Sequence, residues 1–266
     1  MFGCTRQVYY RGLKAEKTKQ QRAENVLQLV RDVRMVMPRL GTKKLYHLLQ
    51  LELKALGVGR DKLFTILKAN HMLIKPRRTY HVTTNSMHRY YKHKNLIKDL
   101  VITRPEQVWV SDITYVGSRK NPMYLSLVTD AYSKKIMGYD VSNTLETQGA
   151  LNALKQALRN RKYPGLKLIH HSDRGVQYCS NAYQNALTNK KVICSMTEAY
   201  DPYENAIAER INGILKQEFI EIVQIDNLQL MDKVVNQSVG IYNTLRPHLS
   251  SQMNTPDFMH KQNKIK

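Results

Sequence analysis

The chain has 266 residues, more than most single domains, and its 42 Lys and Arg against 21 Asp and Glu leave a formal charge of +21. A surplus that large points to a polyanionic partner. No apolar run reaches the roughly 18 residues of a membrane span, and the start MFGCTRQVYYRG lacks a signal peptide's apolar stretch, so a cytoplasmic protein with no membrane partner is expected. Cys4, Cys179 and Cys194 form no CxxC pair, which points away from a disulfide framework and a structural zinc site.

Residues 1–100 hold 22 of the basic and 6 of the acidic side chains, so the positive charge is concentrated at the N-terminal end. From Ala23 to Met37 the apolar residues Val26, Leu29, Val30, Val33, Val36 and Met37 recur at helical spacing, and Pro38 ends the stripe. Thr42 is placed to cap a second helix through Leu45, Leu48, Leu49 and Leu56. Gly57-Val58-Gly59 makes a turn, and Asp61 is placed to cap a third helix with Leu63, Ile66 and Leu67. Short helices separated by glycine turns and rich in Lys and Arg fit a helix-turn-helix-like DNA-binding domain over residues 1–78. Lys43, Lys44, Arg60, Lys62, Arg77 and Arg78 would face phosphates. A plain helical bundle with solvated lysines would give the same pattern. A basic linker is expected over residues 79–104.

From Gln107 the pattern changes to strands: QVWVSDITYV, then MYLSLVTDAY after Asn121-Pro122, then KIMGYDVSN, rich in β-branched and aromatic residues. A helix over Glu146–Asn160, a strand over Leu166–Asp173, a helix around Asn181–Asn189, the strand VICSMTE and a helix from about Asn205 follow. Three hairpin strands and then alternating helices and strands predict an α/β (α+β) mixed sheet, a ribonuclease-H-like core over residues 105–225. A C-terminal helix and tail fill residues 226–266.

Asp112 falls inside the first strand among Val108, Val110, Ile113 and Tyr115, where a charge is costly unless it is paired or bound to metal. Asp173 closes the LIHHSD strand, and Glu209 sits early in the last helix. Strand interior, strand end and helix start can converge, and three converging carboxylates without bases between them suit a hard divalent cation, Mg²⁺ or Mn²⁺. With 21 acids in the chain the spacing alone says little. Glu209, Gly213 and Lys216 share a helix face, so Lys216 is a candidate for a phosphate beside a metal held by Glu209.

These stretches resemble a known family. WVSDITYV, HSDRGVQYCS, DPYENAIAERINGILKQE, the tail YNTLRPH and Thr255-Pro256 are similar to the OrfB-type transposases of the bacterial IS-three family of insertion sequences, whose catalytic core is shared with retroviral integrases. The family's 35 residues between second Asp and Glu are met by Asp173 and Glu209, and 60 residues separate Asp112 from Asp173. The likeness runs over about residues 20–260 and takes in GTKKLYHLL and the Gly59-Arg60 turn. Val176 and Cys179 depart from the usual HSDRGSQY[TS]S form, and neither is an expected ligand.

The resemblance implies a DNA transposase with a two-ion site, in which Asp112 bridges both ions while Asp173 and Glu209 hold one each. Water as nucleophile would nick DNA and a 3′-hydroxyl would join ends, with excision through a circular intermediate before insertion. It also implies a homo-oligomer on DNA and a partner, OrfA, encoded in an upstream frame or fused by frameshifting. Lys216, Arg210 and His171 are expected to orient terminal DNA, and Tyr203 and Asn205 to shape the loop before Glu209. A metal-dependent nuclease of the same fold and a catalytically silent DNA-binding regulator remain the rival readings.

Overall fold

The computed structural model describes residues 5–75, 89–118, 120–198, 205–222 and 224–262. The chain divides into two compact units, Met1–Pro76 and Arg77–Lys266. Arg77, Arg78 and Tyr203 lie outside the described residues. Among the described residues no helix is long and apolar enough to cross a membrane.

The first unit is helical: α1 (Arg6–Val36), α2 (Thr42–Leu48), α3 (Gln50–Ala55) and α4 (Arg60–Ala69). Val26, Leu27, Val30, Leu45, Leu53, Leu63 and Leu67 are buried, each worth about 1.5–3 kcal/mol of transfer free energy. The Arg34 guanidinium donates to the carbonyls of Met72 at 2.8 Å and Leu40 at 3.2 Å, tying two loops to α1. Three expectations need correcting. Helix α1 starts at Arg6, well before Ala23, because its first half carries no apolar stripe for sequence periodicity to register. The second expected helix is broken at Leu49. The N-caps are Gly41 and Gly59, not Thr42 and Asp61.

The second unit is built on five strands, β1 (Val108–Gly117), β2 (Pro122–Asp130), β3 (Ile136–Ser142), β4 (Ile169–Ser172) and β5 (Ile193–Met196), in the order β3-β2-β1-β4-β5. The first three are antiparallel neighbours, and β4 and β5 run parallel to β1. This is the mixed ribonuclease-H-like sheet that the element order predicts.

One face carries Trp109, Ile113, Val128 and Met137 and is covered by α5 (Thr147–Arg159), α6 (Val176–Cys179) and α7 (Asn181–Asn189), through residues such as Leu154, Tyr178 and Tyr183. Helix α5 comes so close to β3 that a Cβ on Gly138 would lie 2.1 Å from the Ala153 carbonyl oxygen. The other face carries Val108 and Val110 and meets Ala208 of α8 (Ala206–Leu215). Ile97, Leu100 and Ile102 pack on that same cluster, and the Leu96 N–H donates to Ser195 Oγ at 2.9 Å. The C-terminal part of the expected linker is therefore laid against the sheet.

A π-helical turn (Lys216–Ile220) extends α8, and α9 (Leu228–Thr244) and α10 (Pro256–Lys261) complete the unit. The tail motif YNTLRPH has a structural use. Asn243 pairs its side-chain amide with both the N–H and the C=O of Ile136, each at 3.0 Å, giving the edge strand β3 a partner. Arg246 grips Glu218 of the π-helical turn with two hydrogen bonds, at 2.7 and 2.6 Å.

Candidate active site

Strand register brings two of the carboxylates together. Ser111 of β1 pairs with Ser172 of the parallel strand β4, so Asp112 and Asp173 each follow the last paired position. In-register residues on parallel neighbours project to the same side, one strand spacing of about 4.8 Å apart. Strand β4 ends at that point while β1 continues, so Asp173 stands at an open strand end.

Helix α8 brings the third, and two asparagines dock it. Asn205, at its N-cap, donates to the Ser111 carbonyl at 3.2 Å. Asn212, seven residues on, donates to Asp112 Oδ2 at 2.7 Å. Positions i and i+7 share a helix face, and both asparagines are buried. Glu209 lies in the first turn, between the two clamps.

The carboxylates are held separately. Asp112 Oδ1 accepts from the Ile113 N–H at 2.9 Å, and Asp173 Oδ1 accepts from the Gly175 N–H at 3.0 Å. A Cβ on Gly175 would lie 3.0 Å from that same Asp173 oxygen and 3.1 Å from Gln177 Oε1, so the glycine keeps the space beside Asp173 clear.

Their electrostatics record the crowding. Burial, then the Asp173 carboxylate and, more weakly, Glu209, push Asp112 up to about 7, against the hydrogen bonds from Asn212 and Ile113. Burial and Asp173 also raise Glu209. Among the described residues no three such side chains close into a formed metal cage. The donor set still fits a hard divalent cation: oxygens only, with a mutual repulsion that raises Asp112 and Glu209 and that a cation would relieve.

Beside Glu209 opens a cleft of about 500 Å³, lined by Lys134, Arg210, His248 and Ser250 together with Ala206, Ile207 and Ile211. Arg210 is exposed there. Lys134 has a left-handed backbone, with φ at 65°, and its ammonium donates to the Ala131 carbonyl.

Two expected DNA contacts fall elsewhere. His171 has no exposed surface, and its Nδ1 lies 2.9 Å from Ser195 Oγ. A side chain sealed in the sheet cannot meet a phosphate, so it leaves the DNA-facing set. Lys216 is largely covered, its ammonium 3.6 Å from Glu221. In the first unit Lys43 and Lys62 are exposed, Lys44 is half-buried, and Arg60 lies 2.9 Å from Asp61.

Sequence reading missed Asn212. Its signal was a polar residue on an apolar helix face, three positions after Glu209 and seven after Asn205. It also missed a buried cluster that anchors α10, because its members are far apart in sequence. Glu106 accepts from Arg161 Nε at 3.1 Å and from the N–H groups of Lys162 and Tyr163, with His260 Nε2 3.5 Å away. Burial alone would raise the Glu106 carboxyl, but His260 and these donors hold it below its ordinary value.

Family models described as "Integrase core domain" match residues 102–202 and 190–256. The chain is 33% identical over 254 residues to the "Insertion element IS600 uncharacterized 31 kDa protein" of Shigella sonnei, covering 93% of this chain and 92% of that one. It is 31% identical over 199 residues to "Transposase InsF for insertion sequence IS3fB" of Escherichia coli (strain K12), covering 74% and 69%. Among solved structures, a chain of the simian T-cell lymphotropic virus intasome in complex with PP2A regulatory subunit B56 gamma matches with a TM-score of 0.53 at 18% identity. That match covers 85% of this chain and 76% of the other.

Proposed function

The chain belongs to the IS-three family of insertion-sequence transposases, and from that premise we propose that Asp112, Asp173 and Glu209 are the catalytic ligands of its DNA strand-transfer site. As a member it is a polynucleotidyl transferase acting on DNA phosphodiesters. The observation that carries the assignment is the Asn212–Asp112 hydrogen bond at 2.7 Å, which locks the helix bearing Glu209 onto the strand position in register with Asp173.

The three carboxylates would hold Mg²⁺ or Mn²⁺, two ions in all, supplying Lewis-acid stabilisation of the attacking and leaving oxygens. The remaining work belongs to the protein. Asn212 and the Ile113 N–H fix the Asp112 carboxylate, and the Gly175 N–H fixes Asp173, so the oxygens are pre-oriented instead of being ordered during the reaction. Arg210 and Lys134 supply positive charge to the cleft beside Glu209, where a strand's phosphates would lie. In-line displacement by water at that position nicks the strand; displacement by a 3′-hydroxyl joins two ends. In the first unit, exposed Lys43 and Lys62 support the reading of a helix-turn-helix-like DNA-binding domain.

Family membership also supports several copies assembling on DNA in the cytoplasm, with the OrfA product as partner or fused by frameshifting. Strand-transfer assays with labelled element ends and Mg²⁺ test the function. Joined products support it. Nicks without joining would make the chain a nuclease, and binding without either would make it a regulator.

A further inference from the structure

Helix α1 has 31 residues, about 46 Å of helix, yet it packs only with its C-terminal half. Val26, Leu27 and Val30 are its buried residues, and every residue from Thr5 to Gln21 is exposed. This half exposes Val8, Tyr9, Tyr10 and Leu13 among a majority of charged and polar side chains.

The charge on this projecting half is one-sided. At about 100° per residue, Arg6, Lys17, Lys14, Arg11 and, half-buried just past this half, Arg22 fall within an arc of roughly 160°. That arc is centred opposite the stripe that Val26, Leu27 and Val30 bury. Lys19 lies off it, and so does Glu16, the acid of this half. Tyr10 lies within the arc, with the Arg6 guanidinium 5.8 Å from its ring centroid. Evenly solvated lysines would alternate with acids around the helix. A single basic face, free of acids, matches the charge of a phosphate backbone.

We propose that the projecting half of α1 lies along the backbone of duplex DNA and contacts phosphates without reading bases. From Arg6 to Arg22 the helix runs about 24 Å, which spans roughly seven phosphates at 3.4 Å per strand. The proposal rests on the chain's being a DNA transposase and adds a contact surface outside both the helical core of the first unit and the carboxylate site.

The test uses the full chain and a fluorescein-labelled duplex of mixed sequence, titrated by anisotropy across a salt series. Arg11, Lys14, Lys17 and Arg22 are changed together to Gln, which keeps helix propensity. A control changes the exposed Lys190, Lys191, Lys233 and Lys261 to Gln, removing the same charge elsewhere. The slope of log affinity against log salt should fall by about 3–4 in the α1 variant, at about 0.9 per lost phosphate contact, with affinity at low salt at least tenfold weaker. The control should keep the wild-type slope.

An α1 variant indistinguishable from the control in slope and affinity overturns the proposal. So does a variant whose only defect is a smaller oligomer in sedimentation, which would make α1 a self-association surface. Joining of labelled element ends is measured on the same proteins. Wild-type joining with an unchanged α1-variant slope sinks this inference alone, whereas a wild type that neither binds nor joins DNA sinks the transposase reading with it.

Discussion

Asn212 donates to Asp112 Oδ2 at 2.7 Å from a buried position on α8, three residues after Glu209. Removing this donor leaves Asp112 with burial and Asp173 driving its carboxyl further up. Asn212→Ala should therefore weaken the apparent Mg²⁺ affinity of strand transfer by about 10–100-fold, the usual range for a residue that orients a ligand. An Mg²⁺ titration of joining measures this. An unchanged midpoint would mean that the hydrogen bond only packs the helix.

The raised Asp112 carboxyl makes a stability prediction for metal-free protein. Its folded value is about 7 against an ordinary 3.8, so the folded state binds the extra proton between those values. Stability contributed by this group is then full below about pH 4 and is lost as pH rises towards 7. Asp112→Asn should melt higher than wild type in chelator at pH 8, by up to about 4 kcal/mol before solvent screening. Near pH 4 the two should converge on this account. Thermal denaturation at the two pH values checks the sign, and a variant that melts lower at pH 8 would refute it.

Gly175 has an ordinary backbone, with φ at −61°, so the reason for glycine there is space. The Cβ of Gly175→Ala would press on Asp173 Oδ1 at 3.0 Å. Joining should drop about tenfold or more, because small misplacements at a reacting centre are costly, while the melting temperature moves by only a few degrees. Equal loss of folding and activity would count against this reading.

Arg246 and Glu218 make a bidentate pair with side chains 2% and 18% exposed. Breaking a buried pair from one side leaves a charge uncompensated, at about 3–5 kcal/mol. Glu218→Gln should lower unfolding free energy in urea by an amount of that order. A change under about 0.5 kcal/mol would show that the clamp on the π-helical turn is dispensable.

Much of this was legible in the sequence. The strands around Asp112, the helix over Thr147–Arg159 and the order of elements follow from β-branched runs and helical apolar spacing. Asp112 was recognisable as a charge out of place in an apolar strand. What periodicity could not reach were features that bury nothing or join distant segments. The projecting half of α1 has no apolar stripe. The Glu106–Arg161–His260 cluster and the Asn243 bracket on Ile136 join residues 55 or more positions apart. His171 looked available beside Asp173 and shares its face of the strand, yet packing covers it completely and sets it against Ser195, which a sequence pattern of period two does not show.

The most direct test of the three-carboxylate site is strand transfer by Asp173→Cys, compared in Mg²⁺ and in Mn²⁺ on labelled element ends. A thiolate is a poor ligand for hard Mg²⁺ and is better tolerated by Mn²⁺. Joining should vanish in Mg²⁺ and return in part in Mn²⁺; joining at the wild-type rate in Mg²⁺ would contradict the assignment of Asp173 as a metal ligand.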